Sequence, residues 1–176
     1  MVKAASRAGL KILGISDHGP ASTGSAKPSY FRSLKLAARK RCGISVLYGV
    51  ELNIIDTNGD VDLEDEVLNG LDYAIASIHP PTLTPYEHAD LTNAYIKAMD
   101  RPRVKFLGHI DDARFPVNFW RLLEEAKERG VYPEINNGSL MPDAYRVGGQ
   151  ANCRKINLCA SETRGKICRK QSESVS

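Results

Sequence analysis

Short apolar runs alternate with amphipathic stretches along the first 135 residues. Leu10–Ile15, Ser45–Ile55, Tyr73–Ile78, Val104–Leu107 and Val131–Ile135 read as strands, each a short apolar run bounded on one or both sides by Gly, Pro, Asn or Asp. Tyr30–Arg41 puts Phe31, Leu34, Ala37 and Ala38 on one helical face, with five Lys or Arg elsewhere. Tyr86–Met99 predicts another helix. So does Phe119–Arg129, closed by Gly130, with Trp120, Leu122 and Leu123 expected on its inner side. Ala4–Ala8 reads as a helix end closed by Gly9, and Gly19–Ser29 as a long loop rich in Ser, Gly and Pro. Leu63–Leu68 is a short acidic stretch without the spaced Asp/Asn and central Gly of a calcium loop, so it reads as a solvated helix face. Repetition of strand and helix predicts an α/β fold whose parallel sheet curls into a barrel.

Four metal-capable side chains share one place in this repeat. His18, Glu51, His79 and His109 each follow an apolar run, at successive intervals of 33, 28 and 30 residues. A strand, a helix and the return to the next parallel strand take about 30 residues, so each strand delivers one of these groups at its carboxyl end. In parallel α/β folds that end is the face on which ligands gather. A single His at a strand end is more often a hydrogen-bonded structural residue than a ligand. Three of the four histidines share the register, however, and independent structural histidines have no reason to do so. The fourth, His88, opens an amphipathic segment and reads as a solvated helix start. Glu134 lies inside a strand and is expected to be a buried hydrogen-bonding residue rather than a ligand.

A chain of 176 residues can bury one substantial core, and 42% hydrophobic with 26% charged residues is ordinary for a globular domain. No apolar run reaches the about 18 residues of a membrane span, and the N-terminus lacks the apolar core of a signal peptide. The expected location is therefore the cytoplasm. The net charge of +3 resides in the tail: residues 1–150 hold 18 basic against 19 acidic side chains, residues 151–176 hold 6 against 2. A basic terminus without interleaved aromatics is a poor nucleic-acid surface. Cys42, Cys153, Cys159 and Cys168 match no zinc-knuckle spacing and read as reduced thiols.

The blocks Ile15-Ser16-Asp17-His18-Gly19, Gly49-Val50-Glu51-Leu52-Asn53, Ser77-Ile78-His79, Gly108-His109 and Glu134-Ile135-Asn136-Asn137 resemble, in this order, the PHP (polymerase and histidinol phosphatase) family. The likeness is strongest to its YcdX-like branch and runs to about Ile156. It implies a distorted β/α barrel with three metal ions, generally zinc, at the carboxyl ends of the strands. Glu51 then corresponds to a carboxylate bridging two metals, His79 and His109 to imidazoles completing one of them, and His18 to a ligand of the third. Asp17 corresponds to a group orienting its neighbour, and Asn136 and Asn137 to polar contacts with substrate or loop backbone. The family's first strand with its His-x-His pair, and its late Asp-x-His pair, have no counterpart here. The expected architecture is thus an incomplete PHP barrel lacking its first and last strands, with residues 1–156 a partial domain and residues 157–176 a divergent, poorly packed basic tail. The abrupt charge shift near Asn157 is what a truncated or frame-shifted reading frame would give.

The function this implies is phosphomonoester hydrolysis by a metal-activated water, with zinc or manganese as cofactor and a small phosphorylated substrate as partner. A non-catalytic divalent-metal-binding fragment is the second reading. A nucleic-acid-processing PHP module is the third, disfavoured by the near-neutral body of the chain.

Overall fold

Six strands run parallel in an order that follows the chain. The computed structural model describes residues 1–80, 82–83, 90–140, 151–156 and 168–169. A first helix, α1 (Val2–Arg7), leads into β1 (Ile12–His18). Then come α2 (Pro28–Ser33), the short β2 (Lys40–Arg41), β3 (Ile44–Asn53), α3 (Asp65–Asn69) and β4 (Tyr73–Ser77). They are followed by α4 (Thr92–Ala98), β5 (Val104–Leu107), α5 (Phe119–Arg129), β6 (Tyr132–Ile135), a helical segment over residues 151–156 and β7 (Cys168–Arg169). The sheet order is β1-β3-β4-β5-β6-β7, with every one of these pairings parallel. Only β2 is antiparallel, on β3. A parallel sheet wound in chain order curls in one direction, and the result is a half-barrel.

The core lies on the convex face. Strand alternation sends Val46, Val50 and Leu52 of β3 and Ala74 and Ala76 of β4 outward, and a register shift in β5 pairs Val104 with Ala74 and Leu107 with Ala76 on the same face, all buried against the helices. Leu68, Tyr95, Ala98, Leu122 and Ala126 meet them from α3, α4 and α5. The concave face carries the alternate residues. Its lower part is an apolar hollow of about 510 Å³ lined largely by Leu47, Tyr73, Ile75, Phe106 and Tyr132. Its upper part, at the carboxyl ends, is polar and holds the candidate site.

Two expectations are corrected. The helix expected over Tyr30–Arg41 stops at Ser33, and a single 3-10 turn, Leu34–Leu36, follows. The chain then turns back through Cys42 and Gly43, both at positive φ (49° and 77°), the two-residue loop that joins β2 to β3. Arg39 anchors this detour by donating to the carbonyls of Leu34 and Ala37 and to Asp72. Cys42 is therefore a hairpin residue, and Leu36 points into solvent.

The second correction concerns Trp120, which is 46% exposed while Leu122 and Leu123 are buried. At about 100° per residue, Trp120 lies roughly 200° around the helix from Leu122, so closeness in sequence put it on the wrong face. Accordingly, Leu122→Ala should cost about 2–5 kcal/mol in urea unfolding, and Trp120→Ala no more than about 0.5 kcal/mol. Equal losses would mean that the indole packs.

The other helices and strands fall close to expectation. β1 runs on to His18 itself, and the helix expected over Tyr86–Met99 is described from Thr92 to Ala98; His88 lies outside the described residues. Most of the tail beyond Ile156 is likewise outside them, apart from β7, whose Cys168 and Arg169 pair with Glu134 and Ile135. Nothing in the tail's composition pointed to that strand. Within residues 151–156, Cys153 and Ile156 are fully buried. No helix among the described residues is long and apolar enough to cross a membrane.

Candidate metal centre

Parallel pairing sets the candidate groups side by side. His18 closes β1 directly opposite Glu51 of β3. Asn53 of β3 is opposite Ser77, the last residue of β4, and His79 follows two residues later. With a period of two, Glu51 and Asn53 face the same side, as do Ser77 and His79. His109 follows β5 across Gly108, and its backbone is at φ 33°. A left-handed conformation in a non-glycine residue costs about 1–3 kcal/mol and persists only when the surroundings enforce it. Here Gly108 lies so near Ser77 that any Cβ would collide with the Ser77 hydroxyl, and the His109 N–H donates to Glu134 Oε2 at 3.1 Å.

The side chains converge on Glu51. Its Oε1 lies 3.3 Å from His79 Nε2 and 3.3 Å from His109 Nε2, and the two imidazole nitrogens are 3.0 Å apart. Its Oε2 faces the other way, 3.9 Å from His18 Nδ1. Ser77 Oγ donates to Glu51 Oε1 at 3.2 Å, and Asn53 Oδ1 meets His79 Nδ1 at 2.8 Å. Burial alone would raise the Glu51 carboxyl. His109, by hydrogen bond and charge, with His79 and His18 beside it, outweighs burial and holds the group well below the usual carboxylate range.

This donor set fits a divalent cation. Ligand atoms at 2.0–2.1 Å from a tetrahedral ion stand about 3.3–3.4 Å apart. The triangle of His79, His109 and Glu51 Oε1 has edges of 3.3, 3.3 and 3.0 Å. Ligand atoms of His18, Glu51 and His79 also lie within 4.8 Å of one another, a looser group on the other flank of the carboxylate. Both groups open into a cleft of about 350 Å³ whose lining includes Asp112, Arg114, Glu134 and Asn136.

Of the residues picked from sequence, His18, Glu51, His79, His109 and Asn136 meet in this cleft. Asn137 opens a 3-10 turn, Asn137–Leu140, directly behind it. Asp17 does not join them. It alternates with His18 along β1, and its carboxylate accepts a 2.6 Å hydrogen bond from Tyr30 of α2. That bond, together with burial and the Asp17 charge, pushes the Tyr30 phenol up to about 12. Glu134 is the hydrogen-bonding residue expected, through the His109 N–H.

Three contributors went unrecognised. Asn53 was legible from its i+2 relation to Glu51. Arg114 lies five residues after His109 and is gripped by Asp112, through Nε at 3.0 and 3.1 Å and Nη2 at 2.6 Å, a geometry that sequence spacing does not reveal. Asp62, which binds Asn53, carried no local signal at all.

The sequence pattern of the PHP domain matches residues 1–137. Probable phosphatases of Clostridium botulinum strain Langeland, Clostridium acetobutylicum and Thermoanaerobacter sp. strain X514 are 42%, 40% and 38% identical to 90%, 88% and 90% of this chain. The chain spans 64%, 63% and 64% of those relatives. Among solved structures, a chain from the cryo-EM structure of archaeal ribonuclease P with mature tRNA aligns over 98% of this chain and 70% of its own, with a TM-score of 0.50 and 16% identity, a likeness of fold alone. The chain belongs to the PHP family, and its half-barrel is part of that family's fold.

Proposed function

We propose that this chain carries the metal-holding face of a phosphatase that hydrolyses a small phosphomonoester with zinc or manganese. The observation that carries the reading is Glu51, with one oxygen toward His79 and His109 and the other toward His18. When bound, a divalent cation supplies Lewis-acid polarisation of a phosphoryl oxygen and acidifies water at neutral pH. The chain's own residues do the rest. Glu51 enters as a carboxylate, its proton already displaced by its histidine neighbours. Asp112 fixes the Arg114 guanidinium at the cleft, where its planar fork suits two phosphate oxygens. Asn136 adds a neutral amide to the same wall. Relatives named probable phosphatases support the substrate class.

A non-catalytic metal-binding fragment is the second reading, and one observation favours it. Among the described residues, the looser group consists of His18, Glu51 and His79, and two of these are shared with the tighter triangle, too few ligands to fix a further ion firmly. Turnover of p-nitrophenyl phosphate, measured with bound-metal stoichiometry on one zinc- or manganese-loaded sample, separates the two. Chelator-sensitive turnover supports the phosphatase; a bound ion with no turnover supports the fragment.

If the chain is active, Arg114→Ala should raise KM about 10–100-fold, the loss of a charge-assisted contact, with metal stoichiometry unchanged. An unaltered KM would remove Arg114 from the phosphate site.

A further inference from the structure

We infer that Asn53, held by Asp62, is a positioning residue that fixes the tautomer and ring orientation of His79. Asn53 is fully buried. Its Nδ2 faces two acceptors, Asp62 Oδ2 at 2.5 Å and the Gly19 carbonyl at 3.3 Å. Its Oδ1 accepts from Ser22 Oγ at 2.9 Å and meets His79 Nδ1 at 2.8 Å. Turning the amide over would set its oxygen against a carboxylate and a carbonyl, so the orientation is fixed by charge. His79 Nδ1 must then carry the proton and donate it. Its Nε2 is left with the lone pair, and that is the atom 3.3 Å from Glu51 Oε1 and 3.0 Å from His109 Nε2.

Asp62 is the anchor of this relay. It accepts from the backbone N–H of Asn53 at 3.0 Å and of Ala21 at 2.9 Å as well as from the Asn53 side chain. A Cβ at Gly19 would collide with its carboxylate. The Gly19 carbonyl also accepts from Ser25 Oγ at 2.7 Å and from the Ser22 N–H at 3.1 Å. One carboxylate thus ties the loop that follows His18 to the ring of His79. A ligating imidazole whose other nitrogen donates to a fixed acceptor is oriented before the ion arrives, and losing such a partner weakens metal affinity about 10–100-fold.

Only the affinity arm of the test rests on the proposed metal site. The first measurement is the His79 tautomer in the metal-free protein, read from long-range 15N–1H correlation spectra near neutral pH. Nδ1–H is expected in the unmodified chain, and Nε2–H there would overturn the inference without any variant. Asn53→Ala should shift His79 toward Nε2–H, and Asp62→Ala should give a mixture, whereas Asp62→Asn, which keeps an acceptor oxygen, should retain most Nδ1–H. Zinc affinity by chelator competition should fall about 10–100-fold in Asn53→Ala and recover largely in Asp62→Asn relative to Asp62→Ala. A purely structural role would lower stability and leave the tautomer in place. If the unmodified chain binds no zinc, the metal reading fails, and the tautomer still decides this inference.

Discussion

Glu51→Gln is expected to cost more zinc affinity than any other single change, more than about 100-fold, because ligand loss should exceed the 10–100-fold typical of an orienting partner. The amide keeps the size of the carboxylate but supplies one neutral oxygen where two charged ones stood. Both flanks of the site lose a donor, since Oε1 serves His79 and His109 while Oε2 serves His18. His109→Ala should approach the same loss, because it removes a corner of the tighter triangle. His18→Ala should affect affinity for the first ion far less, its nitrogen being 3.9 Å from Glu51 on the other flank. Chelator competition on the three variants gives the order directly. A larger loss for His18→Ala than for His109→Ala would place the principal ion on the wrong side of the carboxylate.

The second large effect is expected at a residue with no donor atom. Gly108→Ala puts a Cβ against Ser77 Oγ, with Ile75 Cγ2 at 3.2 Å closing another direction. Ser77 is fully buried, so its hydroxyl can yield only by leaving Glu51, to which it donates. His109, next in the chain and already at positive φ, must move with the strand end. Overpacking of this kind costs about 1–3 kcal/mol, and zinc affinity should fall by about tenfold or more, as when an orienting partner is lost. Ser77→Ala in the same chain removes the obstructing oxygen and should restore stability but only part of the affinity. Full affinity in Gly108→Ala alone would show that the strand end tolerates the shift and that His109 is not held by this contact.

The candidate set was legible because a parallel sheet repeats. Once strands recur every thirty or so residues and their carboxyl ends share a face, His18, Glu51, His79 and His109 have to meet, whatever the details of the helices. Asp62 was not legible, because it reaches the site by a local reversal. Ile54 and Val61 form an antiparallel bridge around the turn at Asp56–Gly59, and this returns Asp62 to Asn53. The acidic stretch read as a solvated helix face begins only at Leu63, and the turn read before it ends at Asp60, so Asp62 fell in neither. The hairpin of β2 was hidden for a related reason: Phe31, Leu34 and Ala38 fit a helical period, and the Cys42–Gly43 reversal outweighs that period only with Arg39 bound to Asp72 across the fold. Asp17 shows the limit of resemblance. It stands beside His18 in sequence, yet strand alternation turns it to Tyr30.

His79, His109 and Glu51 together are expected to hold one divalent ion. Crystals soaked with zinc and measured on both sides of the zinc absorption edge test it most directly. An anomalous peak is expected about 2.0–2.1 Å from His79 Nε2, His109 Nε2 and Glu51 Oε1, with any second, weaker peak toward His18. Zinc bound only elsewhere on the chain, or no peak while Nε2 of His79 and His109 remain together, would contradict it.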